Sequence, residues 1–256
     1  MVRVETPPDN GFTLVEGHAG AEALHFEQDS DRSFVSMAAV PLGERAELWV
    51  SLALVHPDGR EQQVNARVPV TPGTYNHRQL RVAPELGSPP SSAQRARRAR
   101  ESAMAREVSD AAHTTPRLWT GGIVMPRSSA VTSSFGDGRV FNGQVSSRHT
   151  GLDLRGAPGD TVVAPTRGVV ALAEQFELAG NNVYINHGAG LVSAYFHLTE
   201  QLVSPGDTVV AGTPIGRVGA TGRVTGPHLH WVVRYGRTSV DPRSLLSVAG
   251  EIASVE

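Results

Sequence analysis

The sequence contains no cysteine. No disulfide can brace the fold, and any metal site must draw on nitrogen and oxygen donors. That absence fits an exported bacterial protein as well as a cytosolic one. No run of about 18 apolar residues occurs, so no transmembrane helix is expected. The opening stretch, MVRVETPPDNGF, also lacks the apolar core of a signal peptide. An exported form of this protein is therefore expected to begin after its signal. Neither sign of charge dominates: 23 Lys and Arg face 25 Asp and Glu, for a net charge of −2. Bulk nucleic-acid binding favours a basic patch or stripe, and this balance gives it no support.

What is present is room, at 256 residues, for one large domain or two smaller ones with real cores. From Val2 to about Val82, SFVSMAAVPLG, AELWVSLALVHPDG and QQVNARVPV read as short strands closed by turn residues. Their spacing predicts a small β-sandwich. His18, His25, His56 and His77 fall here without regular spacing and are expected at the surface. Pro89 and Pro90 then interrupt the chain, and Ser91 with Gln94 three residues on forms a capping box. The Ala/Arg/Glu-rich run that follows predicts a solvated connecting helix, its arginines paired with nearby acids or lying on a neighbouring domain.

From about Leu118 to Asp241 the chain is rich in glycine and β-formers, and no segment of helical period intervenes. Antiparallel sheets are expected. APGDTVVAPTRGVV and SPGDTVVAGTPIGRV are similar to each other and suggest two equivalent hairpins. The organisation expected is a sandwich over 1–86, a helical linker over 87–116 and a second β domain over 117–250. The fold class is all-β with one connecting helix.

Chemistry concentrates in this last region. SSRHTGLDLRG places His149 and Asp153 four apart, SAYFHLTE places His197 within an apolar strand, and GPHLHWVV supplies His228 and His230. Side chains at i and i+2 of a strand project from one face, so His228 and His230 form a pair on one side. Gly151 argues for an extended rather than helical His149–Asp153 segment, and even spacing keeps those two on one face as well. Two imidazole nitrogens and one carboxylate, with a fourth position open, are a common ligand set for catalytic zinc. His187, at the start of a turn in YINHGAG, reads instead as a structural hydrogen-bonding residue.

HTGLDLRGAPGDTVVAPTRGVV, NNVYINHGAGLVSAYFHL, VSPGDTVVAGTPIGRVGATGRVTGPHLHW and the closing VDP together resemble the lysostaphin-type, LytM-like zinc metalloendopeptidases, which hydrolyse peptidoglycan peptides. The resemblance runs from about Ser133 to Pro242. The upstream layout is similar, more loosely, to bacterial members with an immunoglobulin-like N-terminal domain. The resemblance implies a LytM-type antiparallel domain, a Zn2+ cofactor on His149, Asp153 and His230, and His197 and His228 facing the reaction. Zinc would lower the pKa of a bound water toward about 7, one of these two histidines acting as base and the other on the oxyanion.

Peptidoglycan stems or cross-bridges would be the partner and the cell envelope, periplasmic or extracellular, the location. The N-terminal domain could contact the catalytic groove. Groove walls are expected around Asn142, from Phe176 to Asn182 and from Thr221 to Pro227, with glycines there letting an extended peptide approach. One position departs from the pattern: many relatives follow HLH and an aromatic with Glu, where Val232 stands here. The alternative function is a latent or non-catalytic module that binds cell wall or activates another hydrolase. Another zinc hydrolase, such as a D,D-carboxypeptidase or an amidase, fits the glycine framework less well.

Overall fold

A computed structural model describes residues 1–5, 11–30, 33–43, 47–79, 89–141 and 144–253. Seven strands come first: β1 (Val2–Glu5), β2 (Leu14–Ala19), β3 (Glu22–Leu24), β4 (Glu27–Ser30), β5 (Ser33–Ser36), β6 (Glu47–Val55) and β7 (Glu61–Pro69). Along β6 every second side chain, Leu48, Val50, Leu52 and Leu54, is buried, the alternation of a half-covered strand. Two sheets result, ordered β1-β5-β4 and β3-β2-β6-β7. Val15, Leu24, Phe34 and the four β6 residues fill the space between them. His18 and His77 are exposed, as expected, but His56 is buried with its ring edge-on to Phe12, and His25 is half-buried. Irregular spacing along the sequence says nothing about which neighbours a strand acquires in three dimensions.

A short strand, β8 (His77–Gln79), precedes the helix α1 (Ser92–Thr114). The capping box forms: the Ser91 amide donates to Gln94 Oε1 at 2.9 Å, and the Gln94 amide donates to Ser91 Oγ at 3.2 Å. Arg97 pairs with Glu101 at 2.7 Å, and Arg98 with Glu177 of the following domain at 2.7 Å. The opposite side of the helix is not solvated. Ala105, Val108 and Ala112 are buried against Tyr184, Val192, Ala194 and Val232. Val232 is the position where the family pattern expects Glu. The Ala105, Val108 and Ala112 face of α1 lies over it, and the apolar valine packs into that contact.

The remaining strands are β9 (Val131–Ser133), β10 (Gly138–Phe141), β11 (Gln144–Arg148), β12 (Leu152–Arg155), β13 (Thr161–Val163), β14 (Gly168–Phe176), β15 (Gly180–Gly188), β16 (Leu191–Gln201), β17 (Thr208–Val209), β18 (Pro214–Val218), β19 (His228–Tyr235) and β20 (Thr238–Val240). All of these but β10 and β11 build a ten-stranded sheet with the path β17-β14-β15-β16-β19-β12-β9, to which β13, β18 and β20 attach. Every pair in it is antiparallel. The all-β class with its connecting helix holds. A second helix, α2 (Pro242–Ala253), was not expected; it follows Asp241, whose carbonyl accepts the first helical amides.

The PGDTVV repeat does not make two hairpins. Each copy's short strand pairs with the long strand of the other copy: β13 with β18, and β17 with β14. The exchange is matched atom for atom. The Gly159 amide donates to the Val218 carbonyl and the Val218 amide to the Asp160 carbonyl; Gly206, Val170 and Asp207 repeat this arrangement at 2.8–2.9 Å. Sequence similarity revealed the repeat, but pairing partners depend on a closure that no local segment encodes.

β8 leaves the sandwich and pairs in parallel with β10, which pairs in turn with β11. The Tyr75 ring, just upstream, lies against Gly136 and under the Arg148 guanidinium, 5.2 Å from the ring centre. The N-terminal region therefore touches the second domain beside the residues singled out above. Asn142, expected in a groove wall, lies outside the described residues.

Candidate metal centre

The frame of the site is one antiparallel pair. Asp153 on β12 stands opposite His230 on β19, and Arg155 opposite His228. Leu229 and Trp231, the alternating neighbours, are fully buried in the core and leave both histidines on the other face. The i, i+2 argument holds for this pair. It does not hold for His149 and Asp153, because His149 lies in the link between β11 and β12 rather than on a strand with Asp153. A turn positions it. The His149 amide donates to the Asp137 carbonyl at 2.9 Å, and the Gly136 amide donates to the His149 carbonyl at 2.8 Å. Gly151 then lets the link pass close: a Cβ there would run into the Trp231 carbonyl and stand 2.9 Å from His230 Cε1.

His149 Nε2, Asp153 Oδ1 and His230 Nδ1 converge into a triangle with edges of 2.8, 2.9 and 3.0 Å. They are also the one group among the described residues in which at least three His, Cys, Asp or Glu side chains come close enough to hold a metal ion. The ring protons show what the triangle asks for. A carbonyl only accepts, so His149 Nδ1, 2.9 Å from the Ser134 carbonyl, carries a proton. In neutral His149 this leaves a lone pair on Nε2. One proton on His230 Nδ1 serves an edge to Asp153 or to His149, and the His149–Asp153 edge remains lone pair against lone pair. A shared cation removes that conflict, and two imidazoles with one carboxylate are donors zinc accepts. Burial would raise the Asp153 carboxyl, but the His149 and His230 imidazoles against it, where they carry a proton toward it, hold it well below the usual carboxylate range.

The other two histidines flank the triangle. His228 Nδ1 donates to the Gly226 carbonyl at 2.9 Å, and His228 Nε2 lies 3.5 Å from Asp153 Oδ1. His197 Nδ1 donates to the Thr221 carbonyl at 2.9 Å. Their ring centres are 5.0 Å apart. Each neutral ring thus has its Nδ1 proton tied to backbone and a bare Nε2. Burial pushes His197 down to about 4, with the Thr221 carbonyl acting in the opposite sense. Burial also lowers His230. His187 stands apart, buried and bonded to the Arg167 carbonyl at 2.8 Å and to Ser193 Oγ at 2.7 Å, the structural role expected for it. All five singled-out residues are brought together. The carbonyls of Ser134, Thr221 and Gly226 that orient them left no mark in the side-chain pattern.

Comparison with known proteins comes to the same region. Residues 147–242 match peptidase family M23. The chain carries a LytM-like M23 domain. Two curated relatives from Vibrio cholerae are named peptidoglycan DD-endopeptidases: ShyC, 37% identical over 45% of this chain, and ShyA, 43% identical over 32%. The matches span 27% of ShyC and 19% of ShyA. A crystal structure assigned to peptidase M23 from Pseudomonas aeruginosa aligns with 95% of this chain and 89% of its own at a TM-score of 0.65. At 23% identity that likeness speaks for the fold.

Proposed function

We propose that this chain is a zinc-dependent endopeptidase that hydrolyses peptide cross-links of bacterial peptidoglycan in the cell envelope, periplasmic or extracellular. One observation carries the reading: three atoms able to ligate a metal within 3.0 Å of one another, flanked by two histidines whose Nδ1 protons are tied to carbonyls. His149, Asp153 and His230 would hold the metal. When bound, zinc supplies Lewis-acid polarisation of a carbonyl and of water. The bare Nε2 of His228 or His197 would take the proton from the attacking water, and the other histidine would stabilise the oxyanion only when it is itself protonated on Nε2 and can donate. Asp153 keeps its charge throughout and anchors the cation. M23 relatives bearing the DD-endopeptidase name support peptidoglycan as the substrate class. Division into a sandwich over 1–86, a linker over 87–116 and the peptidase domain over 117–250 belongs to the same proposal.

The test is metal content of the purified chain beside release of cross-links from isolated peptidoglycan, with and without chelator. About one zinc per chain and chelator-sensitive release are expected. His228→Ala and His197→Ala should keep zinc and lose roughly 10²–10⁴-fold in turnover. Full turnover in either variant would overturn that residue's role.

Latency is the second reading, favoured by the contact of Tyr75 and β8 with the β10–β11 hairpin next to the site. Zinc without turnover would support it. Removing residues 1–115 is a poor test, because it strips α1 from the sheet it covers. Tyr75→Ala loosens the contact and leaves the helix in place.

A further inference from the structure

His197 sits where the sheet is irregular. Between the Asn181–Leu198 and Val183–Tyr195 pairs of β15 and β16, two residues, Phe196 and His197, face the single Asn182. His197 takes φ of +64°, in the left-handed region that a residue with a Cβ avoids. Something must hold it there, and three contacts converge on one residue of the loop before β19. The Thr221 hydroxyl accepts from the Asn181 amide at 2.9 Å and donates to the Leu198 carbonyl at 2.7 Å. The Thr221 carbonyl accepts the His197 Nδ1 proton at 2.9 Å. The backbone nearby is pressed together: a Cβ on Gly222 would run into the Gly180 amide nitrogen, and one on Gly180 into Thr221. These glycines let two loops of the chain touch each other, not a ligand approach, as the sequence had suggested.

We propose that the Thr221 hydroxyl is a positioning group. It clamps β15 to β16 across the bulge, sets the Thr221 carbonyl against His197 Nδ1, and thereby aims His197 Nε2 at the metal centre. What His197 then does rests on the peptidase reading above; the clamp itself does not.

Thr221→Val keeps the shape and removes the hydroxyl, leaving the Asn181 amide and Leu198 carbonyl unmatched. Nitrogen-15 NMR of the imidazoles reads the tautomer directly. The wild type is expected to hold His197 with its proton on Nδ1, and Thr221→Val to give mixed tautomers with a fast-exchanging proton. Zinc content should stay at the wild-type level. On isolated peptidoglycan, kcat should fall about 10–100-fold with KM within about twofold, and Thr221→Ser should restore kcat to within about threefold. A Thr221→Val protein with the wild-type tautomer and wild-type kcat overturns the proposal. If Thr221→Val does not fold, Thr221→Ser is compared with Thr221→Cys, whose thiol is a weak donor and acceptor. A higher kcat and a purer tautomer in the serine variant support the clamp; equal behaviour overturns it. A wild type without zinc or turnover defeats the peptidase reading, and the tautomer measurement still decides the clamp.

Discussion

Two clusters of imidazole and carboxylate lie in this protein, and they do opposite things. One joins the sandwich, α1 and the ten-stranded sheet. Glu22 Oε1 accepts from the Arg237 amide at 3.0 Å and from Thr238 Oγ1 at 2.7 Å, and Oε2 accepts from His113 Nε2 at 3.1 Å. His113 Nδ1 lies 2.8 Å from His25 Nε2, and the Tyr235 hydroxyl donates to the Ala23 carbonyl at 2.8 Å. With both histidines neutral, every acceptor in that chain meets a donor. In the other cluster the Nδ1 protons of His149, His197 and His228 are spent on backbone carbonyls, and lone pairs converge on one point. Matched donors and acceptors make a joint; surplus acceptors make a site for a cation. Residue types alone do not separate the two.

The comparison breaks most severely at the metal centre. Replacing His149, Asp153 or His230 with Ala should abolish zinc binding and turnover together, read by metal analysis and cross-link release. The junction should respond differently. Glu22→Ala leaves the Arg237 amide and the Thr238 hydroxyl unmatched, at a cost of about 1–3 kcal/mol each where water does not replace the carboxylate. A lowered thermal midpoint with unchanged zinc content is expected; loss of zinc would show that the clusters are coupled.

The smallest effect is one of pH. Burial, then the neighbouring His113, lowers His25, and burial lowers His187 to about 4. A histidine whose folded value lies below its unfolded value of about 6.5 binds its proton more readily in the unfolded chain. Stability is therefore present above pH 6.5 and falls as the pH drops below it. The thermal midpoint of the metal-free chain should decline between pH 7.5 and 5, and His25→Gln should flatten part of that slope. An unchanged slope in that variant would remove His25 from the account.

Much of the site was legible because strand alternation is local. His228 and His230 share a face, and Leu229 and Trp231 fill the core behind them, as period-two geometry demands. His149, Asp153 and His197 stood out by spacing and strand context, and the family resemblance gave them their roles. Illegible were the turn at Ser134–Asp137, the bulge at His197 and the Gly226 carbonyl, all backbone features that carry no residue signature. The junction escaped for another reason. Glu22, His113 and Arg237 are far apart in sequence, and His25 read as one more surface histidine.

The Cys-free composition and the glycine framework by themselves limited this chain to a β-rich fold with nitrogen and oxygen donors, and the pattern of five polar residues marked where chemistry would gather. Tertiary structure alone decided that the repeated PGDTVV segments exchange partners, that Val232 lies under a helix, and which imidazole nitrogens keep a lone pair. The reason is one of range. Alternation and turn chemistry act over a few residues, whereas the fate of each proton depends on which carbonyl the fold brings opposite it.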